Sequence, residues 1–144
     1  MRIAYFEPHH LGDCLDLFLG HYNNEAFGCQ FDPQKATAYL EELANTPRFI
    51  GFLLFGADDG LVGMAFCHER TWWPYDELHI DEFIISPSHQ KKGYGSKLLK
   101  FMQKYAKERE LAGVTLVTNT LPLARFYQKN EFHEHDVFFM YKGL

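Results

Sequence analysis

Hydrophobic and polar positions change period several times along this chain. In RIAYF, near the start, they alternate enough for a first strand. From 11 to 22, Leu11, Leu15, Phe18 and Leu19 fall at helical spacing. In DPQKATAYLEELANTP, Asp32 is placed to cap a helix and Pro33 suits its first position. Ala36, Tyr39, Leu40 and Leu43 form that helix's apolar stripe, and Pro47 lies beyond its end. FIGFLLFGADDGLVGMAFCHE reads as two strands around a tight turn at Asp58 to Gly60. ELHIDEFIIS predicts a further strand, with Leu78, Ile80 and Glu82 on one side and His79, Asp81 and Phe83 on the other. The next helix is expected from about 95 to 108. Leu98, Leu99, Met102, Tyr105 and Ala106 form its buried stripe, and lysines fill the other face. GVTLVT predicts a short strand and LPLARFYQKN a short helix, with Pro122 tolerated in its first turn. EFHEHDVFFMYKGL predicts one or two closing strands. The resulting order, β-α-α-β-β-β-α-β-α-β, implies a mixed sheet with helices on its faces.

Composition narrows this to one ordered domain. The 144 residues are 47% hydrophobic and include 14 Phe, 8 Tyr and 2 Trp, which argues against disorder. The start, MRIAYFEPHH, lacks a basic-then-apolar signal pattern. The longest apolar run, FIGFLLFGA, is far short of the roughly 20 residues a membrane helix needs. A soluble, cytoplasmic protein is expected. Cys14, Cys29 and Cys67 stand apart with no CxxC pair, so free thiols are expected rather than disulfides or a zinc ribbon. His133 and His135 would share a strand face and His9 adjoins His10, but no carboxylate or Cys pattern completes a metal site. No metal is expected.

Charge is distributed unevenly over a chain of net charge −5. Residues 91–109 carry Lys91, Lys92, Lys97, Lys100, Lys104, Lys107 and Arg109 against one acid, Glu108. The remainder has 7 basic and 18 acidic residues. This excludes the broad basic face of a nucleic-acid binder and suggests one local site for a compact anion. The segment SPSHQKKGYGSKLLKF supplies the means. A strand, a turn at Ser86-Pro87 and a glycine-containing loop lead into a helix N-terminus, where free N–H groups and a partial positive charge favour phosphate. A phosphate-binding GxxxxGK[ST] is absent. The third glycine of GxGxxG is missing too, and the site lies late in the chain.

ISPSHQKKGYGSKLL resembles the acetyl-coenzyme A signature [QR]xxGx[GA] of the GCN5-related N-acetyltransferases, with Gln90, Gly93 and Gly95 at its fixed positions. TNTLPLARFYQKNEF is similar to the family's second segment, in which Tyr127 and Lys129 match. Thr120 stands where Asn is usual, Asn119 comes one place earlier, and Glu131 replaces a usual Gly. The resemblance covers roughly residues 78–132. It implies an α/β (α+β) single-domain acyl-CoA N-acyltransferase fold over 1–144, with a mixed central sheet of about six or seven strands flanked by about four helices. It also implies acetyl-CoA as cofactor and coenzyme A as product. Cofactor contacts would come from Phe83, Ile84, Ile85, Gln90, Lys91, Lys92, Gly93, Tyr94, Gly95, Ser96, Asn119, Tyr127 and Lys129.

Moving an acyl group from a thioester to an amine requires deprotonation of the amine, a donor for the oxyanion, and a proton or other stabiliser for the thiolate. The resemblance points to Glu82 as base acting through water, with its neighbour Asp81 as second choice. Being adjacent on a strand, the two are expected on opposite faces. The family's oxyanion donor is a backbone N–H of this strand, expected near Ile84, where the strand opens from its neighbour to pair with the pantetheine arm. Tyr127 matches the family's general acid. TWWPYDELHIDE holds Asp76, Glu77, Asp81 and Glu82, no Lys or Arg, and Trp72, Trp73 and Tyr75. That combination suits a cationic amine: a polyamine, an aminosugar such as an aminoglycoside, or a basic peptide. The segment is loosely similar to aminoglycoside 6'-acetyltransferases.

The leading expectation is therefore an acetyl-CoA-dependent N-acetyltransferase acting on a small-molecule or peptide amine, with no nucleic acid or membrane partner. Glu82 and Tyr127 favour it over a non-catalytic acyl-CoA sensor or interaction module of the same fold. A nucleotide-binding protein outside the family is disfavoured by the missing phosphate motifs. The apolar DVFFMY segment suits a homodimer.

Overall fold

The computed structural model describes residues 1–24 and 28–144. Its elements run β1 (Arg2–Tyr5), α1 (Leu11–Tyr22), α2 (Pro33–Ala44), β2 (Phe49–Phe55), β3 (Leu61–Arg70), β4 (Glu77–Ile85), α3 (Tyr94–Glu108), β5 (Val114–Thr115) and α4 (Leu121–Lys129). Short 3-10 turns precede α1 and follow β4. The local signals explain most boundaries. The Asp32 carboxylate accepts the Gln34 N–H at 3.4 Å, with Pro33 opening α2. Between β2 and β3, Asp59 adopts a left-handed φ of 61°, and Gly56 N–H donates to Gly60 C=O at 2.9 Å.

The five strands stand in the order β1-β2-β3-β4-β5, antiparallel except for β4 and β5. The sheet separates two cores. On one face, Leu98, Leu99 and Met102 of α3 and Tyr127 of α4 pack on Phe52, Ala65, Leu78 and Ile80. On the other, Cys14 and Phe18 of α1 and Ala36 and Leu40 of α2 pack on Leu53, Met64, Phe66 and Ile84. Cys14 and Cys67 are buried free thiols, and Cys29 is half-buried.

Among the described residues the sheet has five strands rather than six or seven. The expected closing strands do not form: residues 133–144 pair with no strand among the described residues. β5 keeps only Val114 and Thr115 of the expected GVTLVT. The parallel ladder joins Leu78 to Val114 and His79 to Thr115, then ends.

A second departure concerns β4 itself. Opposite Phe66 and Cys67 the register slips, so Cys67 faces Ile80 while Phe66 faces Glu82. Asp81 is the extra residue of this bulge. Leu78 and Ile80 join the α3 core, as alternation requires, but Ile84 lies on the α1 and α2 face and Glu82 is hydrogen-bonded there. The expected single side shared by Leu78, Ile80 and Glu82 is thus divided, because one inserted residue inverts the phase of everything after it.

Candidate active site

The bulge aims two acids the same way. Glu82 turns to the α1 and α2 face, where Tyr22 of α1 donates to Oε1 and Tyr39 of α2 donates to Oε2 at 2.7 Å. Asp81 Oδ2 lies 2.6 Å from His68 Nδ1, and its Oδ1 lies 4.0 Å from His79 Nε2. His68 and His79 face each other on β3 and β4, their ring centroids 5.6 Å apart. The expectation of Asp81 and Glu82 on opposite faces is therefore corrected by the bulge. Burial raises the Glu82 pKa above its ordinary value, the two phenol hydrogen bonds oppose that rise, and the Asp81 charge adds to it.

Tyr127 occupies the other side of the sheet. It is 9% exposed, with its ring 6.1 Å from Phe83 and 5.5 Å from Phe132. Burial first, then the charges of Glu82 and Cys67, push its phenol pKa upward. Between the two faces, β4 continues from Ile80 to Ile85 beyond the end of its ladder with β5. That stretch has no neighbour on the β5 side among the described residues.

Alternation decides which backbone groups face this opening. Ser86 N–H donates to Val62 C=O at 2.8 Å, toward β3. Two residues back, Ile84 points its polar groups the same way, so those of Phe83 and Ile85 face the gap. In agreement, Ile85 C=O accepts from Gln90 Nε2 at 3.0 Å. The backbone groups that face the gap are thus those one residue to either side of Ile84, near which the donor was expected. Ile84 contributes a fully buried side chain instead.

The loop after β4 delivers the helix end. Lys91 has φ 60° and Gly93, the N-cap of α3, has φ 85°; both are left-handed. Lys92 Nζ donates to Ser88 C=O at 2.8 Å, and Tyr94 packs edge-on against His89. The first-turn N–H groups of Tyr94, Gly95 and Ser96 precede the first bond of the helix, Lys97 N–H to Gly93 C=O. The two glycines have different reasons. A Cβ at Gly93 would meet nothing within 4 Å, so Gly93 is fixed by its φ alone. A Cβ at Gly95 would lie 2.9 Å from Phe126 Cζ, so Gly95 lets α3 approach α4.

Not every expected contact converges here. Asn119 precedes the N-cap of α4 and Lys129 ends it, so they sit at opposite ends of a helix about 13 Å long. Lys129 is exposed and lies two residues, about 200° around the helix, from buried Tyr127. The acidic segment is also less open than its composition suggested. Asp76 accepts from Arg48 at 2.8 Å and Glu77 from Arg70 at 2.7 Å, while the Arg70 guanidinium lies 5.2 Å from the Trp72 ring. Of the four acids, only Asp81 and Glu82 lack a guanidinium partner. Trp73 and Tyr75 remain 87% and 67% exposed beside them in sequence. Sequence reasoning missed Tyr22 and His68 and placed Tyr39 only in a packing stripe. A tyrosine within an otherwise aliphatic helical stripe was the available signal for Tyr39.

The family model described as Acetyltransferase (GNAT) family matches residues 17–132. The chain belongs to that family. It is 34% identical over 74 residues to a streptothricin acetyltransferase of Escherichia coli, a match covering 50% of this chain and 41% of that protein. It therefore spans about two fifths of the length of this curated relative. Among solved structures, a probable acetyltransferase superposes with a TM-score of 0.81 at 17% identity, covering 100% of this chain and 97% of the other. AAC(6')-Iy in complex with the bisubstrate analog CoA-S-monomethyl-acetylneamine superposes with a TM-score of 0.76 at 15% identity, covering 99% and 97%. At these identities the two structures share the fold. No helix among the described residues is long and apolar enough to cross a membrane.

Proposed function

We propose that this protein is an N-acetyltransferase moving an acetyl group from acetyl-CoA to a primary amine. One observation carries the reading: Glu82 and Tyr127, on opposite faces of the sheet, flank the same unpaired length of β4. A base on one side and a proton donor on the other suit an amine that approaches from one face and a thiolate that leaves toward the other.

The residues present fit an acyl-coenzyme A. The gap offers backbone groups of Phe83 and Ile85 to an amide-bearing arm. The α3 N-terminus, with Gly93, Tyr94, Gly95 and Ser96 and the adjacent Lys91 and Lys92, suits a pyrophosphate. Gln90 ties this loop to the strand end through Ile85. Acetyl-CoA would supply an activated thioester there. Glu82, made more basic by burial, takes the amine proton directly or through water. The N–H of Phe83 or Ile85 donates to the developing oxyanion. Tyr127, whose raised pKa keeps it protonated, donates toward the sulfur.

For the acceptor, we favour a cationic small molecule, such as an aminosugar or polyamine, over a peptide. Asp81 and Glu82 supply negative charge on the α1 and α2 face, and the exposed Trp73 and Tyr75 offer ring faces to a cation. The names of the streptothricin acetyltransferase and of the acetylneamine complex accord with this choice.

Coenzyme A release should be followed with acetyl-CoA and an amine panel of aminoglycoside, polyamine and basic peptide. Turnover with an amine is expected, reduced at least tenfold in Glu82→Gln and in Tyr127→Phe, with acetyl-CoA affinity nearly unchanged in Glu82→Gln. Acetyl-CoA binding without turnover of any amine would replace this reading with a non-catalytic sensor.

A further inference from the structure

His68 of β3, His79 of β4 and Asp81 of the bulge form one polar group beside Glu82, outside the chemistry given to Glu82 and Tyr127. Cys67 and Ile80 pack on the α3-side core, so the adjacent His68 and His79 turn to the opposite face, where Phe66 and Glu82 lie. Asp81 joins them there, its Oδ2 2.6 Å from His68 Nδ1 and its Oδ1 4.0 Å from His79 Nε2. His79 Nδ1 is engaged by Thr115 Oγ1 at 2.9 Å.

The geometry sets the tautomer of His68. A carboxylate only accepts, so Nδ1 carries the hydrogen of the bond to Asp81 and Nε2 keeps its lone pair. That nitrogen has no hydrogen-bond partner among the described residues. The His68 and Asp81 side chains are 19% and 20% exposed, so solvent reaches the pair. Around it, β2 presents the apolar Phe49, Arg70 is paired with Glu77, and the Tyr22 and Tyr39 phenols of α1 and α2 both donate to Glu82.

We infer that His68, oriented by Asp81, is a second proton acceptor on this face, taking the proton that turns an arriving ammonium into the amine nucleophile. The inference rests on the acetyltransferase reading. A primary amine is mainly an ammonium at neutral pH. Its nitrogen therefore sheds two protons in each turnover, one to expose the lone pair and one after the C–N bond forms. Both Glu82 oxygens already accept from phenols, and Glu82 serves for one of these protons. The ammonium gives its first proton to His68 Nε2, directly or through one water, and the imidazolium is stabilised by the Asp81 carboxylate. The freed lone pair attacks the thioester carbon and the C–S bond breaks. Glu82 takes the second N–H proton, and the sulfur receives the Tyr127 proton. Solvent then takes the imidazolium proton, and the proton on Glu82 balances the one Tyr127 lost. Asp81 is a positioning residue, acting through His68.

The test measures kcat/KM from pH 7 to pH 9 in the parent and in His68→Gln, with the aminoglycoside, the polyamine and the basic peptide. The variant is left with the free-base fraction of the amine, which rises about tenfold per pH unit below the amine's own pKa. The parent draws on the abundant ammonium and should stay nearly level. The parent-to-variant ratio should thus be at least about tenfold at pH 7 and shrink by about tenfold per unit until the two meet. Any limb due to Glu82 is common to both and cancels in the ratio. A ratio that does not change with pH marks a structural role for His68 and overturns the inference alone. A parent that turns over none of the three amines overturns the acetyltransferase reading, and the inference with it. Nitrogen NMR of the histidines, without substrate or cofactor, gives a second check. His68 should be fixed as the Nδ1–H tautomer in the parent and lose that preference in Asp81→Ala. A parent His68 protonated at Nε2 would have no lone pair to offer and overturns the inference.

Discussion

Tyr39 donates its hydroxyl proton to Glu82 Oε2 across 2.7 Å, joining α2 to the strand that carries the proposed base. With Tyr22 on the other oxygen, Glu82 is held by two phenols whose own pKa values are raised by burial and by the Glu82 charge. They stay protonated and so remain donors at neutral pH.

The pH profile should reveal this arrangement. Glu82 must be ionised to accept a proton, so kcat/KM should fall as pH drops through its raised pKa. Both phenols favour the charged form. Tyr39→Phe removes one of them, so the acid limb should move to higher pH. A hydrogen bond to a charged group contributes about 1.5–3 kcal/mol. On the acid limb the loss should therefore be on the order of tenfold or more, shrinking toward the high-pH plateau. An unmoved acid limb in Tyr39→Phe would mean that Glu82 is not the titrating group.

The two loop glycines should fail differently. Gly93→Ala adds a side chain into open space at a φ of 85°, at a cost of about 1–2 kcal/mol. Thermal unfolding should fall by several degrees, with weaker acetyl-CoA binding as the loop relaxes. Gly95→Val drives branched carbon into Phe126, whose neighbour is Tyr127. Separating α3 from α4 should lower kcat as well as stability. Titration calorimetry with coenzyme A, beside steady-state rates, separates the two. Equal effects of both substitutions on kcat and on affinity would contradict the division of roles.

Much of this architecture was legible because local chemistry and tertiary packing agree. The α1 and α2 stripes, the Asp32 cap, the Asp58–Gly60 turn and the glycine loop each carry their signal within a few residues. The β4 bulge does not. A strand sequence gives no sign of where an extra residue will be absorbed, and one such residue, Asp81, reverses the facing of Glu82 and decides that the Ile84 backbone turns to β3. Nor can a single chain's pattern say what covers a strand-like segment. DVFFMY reads as a strand, yet no strand among the described residues pairs with it. The partners of Glu82 come from helices 43 and 60 residues away in sequence, a separation that no periodicity encodes.

Glu69 is expected to contribute to the loss of the domain's stability in acid. Its side chain is 5% exposed and accepts from Arg109 Nε at 2.8 Å and Nη2 at 3.0 Å, from Tyr105 Oη at 2.7 Å and from Arg48 Nη2 at 3.1 Å. It thereby ties β3 to the end of α3 and to the start of β2. The Arg109 hydrogen bonds dominate and, with those of Tyr105 and Arg48, outweigh burial, lowering its pKa from 4.5 to about 2. A carboxylate depressed in the folded state contributes stability that is full above its unfolded pKa and is lost as pH falls through the folded one. The loss should therefore develop between pH 5 and pH 2. Glu69→Gln should be less stable than the parent at pH 7 by about 1–3 kcal/mol, toward the lower end because Arg48 and Arg109 are themselves 40% and 57% exposed. That difference should shrink as acid protonates the parent's carboxyl. Urea unfolding of both proteins at pH 7 and at pH 3.5 measures it; a gap that stayed constant or widened in acid would remove Glu69 as a source of the pH dependence.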